Sequence, residues 1–187
     1  MAVADLSPRD DKQLIEQAKD GDRDAFRILM QRYMKQAYNV AHRLVGDHDS
    51  AEDITQEAFI KVHAALPGFR GDAEFGTWLH RIVVNIALTK KRLEKNKTER
   101  HVSFDDAREV ATNDHHDALV TNERQAHVEQ ALHELPTLQR AVIILRHLNG
   151  LSTKQVGDIL QCSEGTVKTH LFRGLKKMKT RLAYLQS

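Results

Sequence analysis

The sequence predicts an all-α protein: two small helical domains joined by a flexible linker, the C-terminal one a helix-turn-helix. Three observations carry that expectation. Apolar residues recur at three- and four-residue steps through both halves, and no alternating strand pattern or internal repeat is present. Only three prolines fall in 187 residues, and 29% of the chain is charged against 5% aromatic, which suits soluble helices. Between the halves, residues 96–123 are polar, acidic and aperiodic (Thr112-Asn113-Asp114-His115-His116-Asp117), the composition of a linker.

The elements follow in order. Asp11–Lys19 is a short amphipathic helix ended by Asp20-Gly21-Asp22. Asp24 is expected to cap a long second helix whose Phe26, Leu29, Met30, Tyr33, Ala37, Val40, Ala41 and Leu44 share a face, stopped by Gly46. Ser50 opens a third helix that ends at Leu66 before Pro67-Gly68. A fourth runs from about Glu74 to the low 90s, with Phe75, Leu79, Ile82, Ile86 and Leu93 inward. After the linker, a helix from about Asn122 to Leu135 begins the second domain. Pro136 can open the next helix, since the first helical position needs no backbone donor, and Asn149-Gly150 stops it after Gln139–Leu148. Ser152 with Gln155 forms a capping box for Thr153–Leu160. Ser163 then caps Glu164–Leu185, with Val167, Leu171, Leu175, Met178 and Leu182 on the core side.

Several function classes are excluded early. No segment approaches the ~18 apolar residues of a membrane span, and the first residues have neither the basic start nor the apolar core of a secretory signal. Cys162 is the single cysteine, so no internal disulfide and no multi-cysteine zinc site is possible; the profile is cytoplasmic. His133-Glu134 begins like a zinc-protease motif, but its partner position is Thr137 rather than histidine. With no phosphate loop and no nucleophile elbow, the chain is read as not an enzyme, with no catalytic residues, cofactor or metal.

Net charge is only +2, yet it is strongly segregated. Residues 47–57 hold five acids and no Lys or Arg, and residues 101–123 hold six acids against Arg108. Residues 78–100 hold seven basic residues against Glu94 and Glu99, and residues 163–187 hold six against Glu164. Two basic blocks separated by acidic ones imply two nucleic-acid contacts on separate modules.

Three surfaces stand out. A short helix, a tight turn and a helix that shows Thr, Lys and Arg in its first turns suits the major groove. There Gly165, Thr166, Lys168, Thr169, Phe172, Arg173, Lys176 and Lys177 are the DNA-contacting candidates. On the third helix, Glu52, Asp53, Gln56 and Glu57 surround Ile60, a pattern that suggests a protein-binding patch with an apolar anchor. Trp78, Arg81, Asn85 and Arg92 share a stripe after a loop containing Phe69, Arg70 and Asp72 and closed by Phe75, a mixture of stacking and cationic groups suited to single-stranded DNA.

Taken together these motifs resemble the bacterial extracytoplasmic-function (ECF) sigma factors of RNA polymerase, sigma-E-like. The marks are Asp24-Ala25-Phe26 with Tyr33, the run Ala51 to Val62, Phe69-Arg70-Gly71-Asp72, and Thr77 to Asn85. Leu135-Pro136, Leu145-Arg146, Gly150-Leu151-Ser152 and Gly165-Thr166-Val167-Lys168 follow in the second half. The resemblance implies sigma domain two at 10–95, a flexible linker at 96–122 and domain four at 123–187, with no folded domain three. It implies that the acidic helix docks on the β′ clamp helices of core RNA polymerase. Domain four would bind the β flap and the −35 element of promoter DNA, and the 69–75 loop with its helix would open and hold the −10 element. It further implies an anti-sigma factor, usually membrane-bound, as the sensing partner. His170 stands where many members carry Arg, so one phosphate contact is expected to be weaker or pH-sensitive. The alternative is a LuxR-type helix-turn-helix regulator, whose recognition helix Gly165 to His170 would also fit; that class places a sensor or receiver domain ahead of it.

Overall fold

Arg23–Val45 (α2) is the helix around which the N-terminal half is built, and its ends show how local chemistry sets its length. The computed structural model describes residues 10–101 and 123–183, and every regular element among them is helical. Gly21, at φ +94°, turns the chain after α1 (Asp11–Lys19) and leaves Asp22 extended. The Asp22 carboxylate then accepts from the backbone N–H groups of Asp24 and Ala25, at 2.8 and 3.1 Å, so Asp22 is the N-cap rather than Asp24. Asp24 sits in the first turn and pairs with Arg27 at 2.9 Å. Gly46 closes α2 in the left-handed conformation.

The third helix, α3 (His48–Ala65), starts earlier than expected, because Asp47 and not Ser50 is its cap: the Asp47 carboxylate accepts from Ser50 N–H at 2.7 Å. A 3-10 turn (Leu66–Gly68) ends it, and α4 (Phe75–His101) runs well past the low 90s. The expected 96–122 linker therefore overlaps the end of α4; its remainder, and the start of the next helix at Asn122, lie outside the described residues. α1, α3 and α4 all pack on α2. Leu29, Leu44, Ile54 and Leu79 are fully enclosed there, each contributing about 1.5–3 kcal/mol by burial. Leu93 departs from the expected pattern: it stands 53% exposed.

The C-terminal half contains α5 (Glu123–His133), α6 (Thr137–Ile143), α7 (Thr153–Leu160) and α8 (Glu164–Arg181). The helix expected to run to Leu148 changes character at Ile144, where a single π turn (Ile144–Leu148) widens it. Asn149 closes that turn on Ile144 twice, from its backbone N–H at 3.1 Å and its side-chain amide at 2.9 Å. The capping box before α7 is present as expected, Ser152 and Gln155 bonding reciprocally. Gln161 makes the turn to α8 in the left-handed region (φ 54°). α8 crosses α6 so closely that a Cβ on Gly174 would lie 2.8 Å from Ile143 Cδ1.

The two halves also touch. α7 packs on α4, and α5, α6 and the π turn pack on the end of α2, so most buried apolar residues of both halves form one cluster, with Leu132, Leu135 and Ile143 as a second, smaller one.

Candidate nucleic-acid interface

On α8 the residues below and above the helix axis separate cleanly. Val167 and Gly174 are buried, whereas Gly165, Thr166, Lys168, Thr169, Phe172, Arg173, Lys176 and Lys177 are all exposed. At about 100° per residue these eight occupy roughly half the circumference, centred opposite Val167. Ser163 holds the start of the helix by accepting from Thr166 N–H at 3.1 Å. The Thr169 hydroxyl donates to the Gly165 carbonyl at 2.9 Å, so presenting it to a base requires only a rotamer change. Phe172 is 70% exposed, an apolar ring standing among cations. One expectation is corrected. Leu175 lies at the edge of the buried stripe and is 40% exposed. His170 is half-buried with Nδ1 enclosed and unpaired, a poor position for a phosphate contact.

The face of α3 opposite its buried Ala51, Ile54, Ala58, Phe59 and Val62 carries Glu52, Asp53, Gln56, Glu57 and Ile60. Its charge is partly balanced, since Asp53 meets Lys90 at 3.2 Å, Glu57 meets Lys61 at 2.7 Å and Glu52 lies 3.4 Å from His48. Such exposed pairs contribute little and break readily when a partner arrives. Ile60 is 70% exposed and caps this ridge. Beside it, a shallow groove between α3 and α4 is lined by Glu57, Lys61, Ile82, Asn85, Ile86 and Leu93 among others.

The third surface is built on an aromatic cluster. Phe69 lies 4.8 Å from Trp78 between ring centroids, and Phe75 lies 5.7 Å from Trp78 and 5.0 Å from Tyr33. Phe75 itself is buried, so within the 69–75 loop region it supports Phe69 and Trp78 from beneath instead of presenting a face of its own. Trp78 and Phe69 are half-buried, with Arg70, Asp72, Arg81 and Asn85 exposed around them. Tyr33 anchors the cluster: its hydroxyl donates to Asp11, and burial together with that carboxylate pushes its pKa upward, keeping the phenol neutral.

Sequence reasoning missed two features. His80 is 2% exposed on α4 with both ring nitrogens unpaired, and burial pushes its pKa down to about 4. Arg140 and His133 meet the end of α2 at the seam between the halves. His133 had drawn notice only as half of an incomplete metal motif. Among the described residues no group of three or more His, Cys, Asp or Glu could hold a metal ion.

Comparison with known proteins places the chain in a family. Residues 29–97 match the family model of sigma-70 region 2, and residues 126–178 match that of sigma-70 region 4. The chain is 36% identical over 179 residues to the RNA polymerase sigma-H factor of Pseudomonas aeruginosa, covering 90% of this chain and 91% of that protein. The chain belongs to the sigma-70 family, in its ECF group. As an ECF sigma factor it is an alternative initiation factor, binding core RNA polymerase and directing promoter-specific transcription. It is also 33% identical to the ECF sigma factor SigW of Bacillus subtilis, over 91% of this chain and 96% of that one. Its fold matches that of the sigma factor RpoE of Bartonella quintana, solved with the anti-sigma factor NepR, at a TM-score of 0.67 and 22% identity over 84% of this chain and 96% of that one. It likewise matches CnrH, solved with the cytosolic domain of CnrY, at 0.66 and 24% over 93% and 97%. The LuxR-type alternative falls away, because the half preceding the helix-turn-helix is region 2 rather than a sensor or receiver domain. No helix among the described residues is long and apolar enough to cross a membrane.

Proposed function

We propose that this ECF sigma factor divides promoter recognition between its two modules, with the residues that face outward on α8, α4 and α3 as the working surfaces. The observation that carries the reading is the α8 half-circumference on which eight candidate contacts are exposed together over buried Val167 and Gly174. Arg173 is assigned to base readout at the −35 element, with Thr166, Lys168 and Thr169 beside it and Gly165 allowing close backbone approach; Lys176 and Lys177 are assigned to phosphates. Phe69, Arg70, Asp72, Trp78, Arg81 and Asn85 are assigned to the opened −10 strand, over Phe75 as support. Glu52, Asp53, Gln56, Glu57 and Ile60 are assigned to the β′ clamp helices, and domain four additionally to the β flap. Domain two is placed at 10–95 with the end of α4 continuing from it, the linker at 96–122, and domain four at 123–187.

The same exposed surfaces suit an anti-sigma factor, expected to be membrane-bound, whose binding would exclude core polymerase; the factor itself works in the cytoplasm and needs no cofactor. Reconstituted transcription tests the core of the reading. Purified chain added to core polymerase should give a discrete start site on a promoter, and Arg173→Ala should lose −35 sequence preference. Unchanged preference would remove Arg173 from the assignment.

A further inference from the structure

The seam between the two modules is organised around one guanidinium. Arg140, on α6 and 8% exposed, donates from Nε to the Leu132 carbonyl at 2.9 Å and from Nη2 to the carbonyls of His133 and Leu135. From Nη1 it crosses to the other module and donates to Leu44 O at 2.8 Å. One cation thus closes two helix C-termini at once, those of α5 and α2, where the partial negative charge of each helix collects. Arg43 of α2 adds an ion pair to Glu129 of α5 at 3.0 Å, with both side chains half-buried.

His133 is the third member. Its Nδ1 lies 3.3 Å from Arg140 Nη1. A guanidinium can only donate, so Nδ1 must offer its lone pair and the ring must be neutral with its proton on Nε2. On the other side the ring presses on Gly46, where a Cβ would come within 3.0 Å of Nδ1.

We propose that Arg140 and neutral His133 form a proton-sensitive latch that clasps the C-terminal end of α2 and holds the two modules closed. A proton on Nδ1 removes the acceptor and sets two cations face to face. The surroundings reinforce this: Arg140 of α6, His42 of α2 and Lys91 of α4 oppose a positive charge on His133, whereas Glu129 of α5 and Asp47 at the start of α3 favour a charge on His42, against His48 and Arg43. The neighbouring Glu134 is already paired with Arg181 of α8. Burial first, then Arg140, His42 and Lys91, hold His133 down at about 4, and burial lowers His42 as well. Opening takes Gly46, His42 and Lys91 of the other module off the ring and leaves Arg140 beside it, so the pKa of His133 rises from about 4 towards the ordinary 6.5. The closed form therefore keeps its full advantage above pH 6.5 and loses it as pH falls from 6.5 towards 4, by up to about tenfold in the closed:open ratio per pH unit. Because the two DNA-facing surfaces belong to different modules, the latch governs how far apart they can reach.

The full-length chain tests this without promoter or polymerase, so failure of the promoter assignments would leave the result intact. Donor and acceptor dyes at Lys12→Cys and Thr180→Cys, in a Cys162→Ala background, report the open:closed ratio by single-molecule energy transfer. Between pH 7.5 and 5.5 the open:closed ratio should rise severalfold, up to about tenfold, from His133 alone. His133→Gln, which keeps an acceptor but cannot titrate, should reduce that response to the part carried by His42. Glu129→Gln, which weakens the seam without touching His133, should raise the open fraction at pH 7.5 and keep the pH slope. A pH-independent ratio in the unmodified seam, an equal slope in His133→Gln, or no change at pH 7.5 in Glu129→Gln would overturn the latch.

Discussion

Arg140 Nη1 donates to the carbonyl oxygen of Leu44 at 2.8 Å, joining residues 96 positions apart in the chain across the boundary between region 2 and region 4. The remaining donors of the same guanidinium close the end of α5, so a single side chain satisfies backbone groups in both modules.

Removing it should therefore cost more than a surface arginine would. Arg140→Ala strands several buried carbonyls, and the expected loss is about 3–5 kcal/mol, the range for breaking a buried charged interaction. Urea unfolding checks this; a loss below about 1 kcal/mol would show those carbonyls to be satisfied by water.

Arg173→Ala should relax −35 sequence preference by about 1–3 kcal/mol, read from binding to matched and mismatched −35 duplexes. Lys176→Ala should instead weaken binding to all sequences alike and reduce the slope of log K against log salt by about 1. Both side chains are exposed, so neither change should move the thermal midpoint.

Two contributions of Trp78 can be separated by one pair of variants: its packing, half-buried against Phe69 and Phe75, and the strand stacking proposed for it. Trp78→Ala should reduce permanganate reactivity of the −10 strand while sparing closed-complex binding, at a stability cost of about 1–3 kcal/mol. Trp78→Phe should restore most of the stability and leave strand opening partly impaired. Normal opening in Trp78→Ala would reassign the residue to the core alone.

Ile60→Asp should leave folding intact, since the side chain is 70% exposed, and should weaken binding to core polymerase by about 2 kcal/mol if it is the anchor of that surface. Reversing Glu52 and Asp53 to Lys should weaken the same binding more at low salt than at high salt. Equal affinity for wild type and Ile60→Asp in a pull-down would move the docking surface elsewhere.

His80 should make the fold acid-sensitive. Its pKa is pushed down to about 4 by burial, against 6.5 when unfolded, so between those values the ring is neutral in the native state and protonated in the unfolded one. Stability is then fully present above pH 6.5 and falls as pH drops from 6.5 towards 4, by about 2 kcal/mol at pH 5. His80→Leu should reduce that loss, measured as the difference between urea midpoints at pH 7 and pH 5; an unchanged difference would show that another group carries the acid sensitivity.

Caps, periodicity and charge were legible in the chain because each is decided within a few residues. Ser152 bonds Gln155 and Ser163 bonds Thr166 as their spacing implies, and the exposed arc of α8 follows from its 3.6-residue period. The acidic ridge around Ile60 likewise stands where the wheel of the third helix places it. Two caps lie elsewhere than the sequence reading put them: Asp22 and not Asp24, Asp47 and not Ser50, because the residue left extended after the preceding glycine turn takes the cap.

By itself the sequence determined an all-helical chain, the helix-turn-helix, the segregated charge and the motifs that mark an ECF sigma factor. All of these rest on contacts a few residues apart. Only the tertiary structure decided that Phe75 supports Trp78 from within the core, that Leu93 and Leu175 stay exposed, that His80 is enclosed without a partner, and that the helix after Ile143 widens into a π turn. It also decided that His133 and Arg140 close on Leu44 and Gly46. Those outcomes depend on which distant helix covers each face, and no local period encodes the identity of a neighbour 96 residues away.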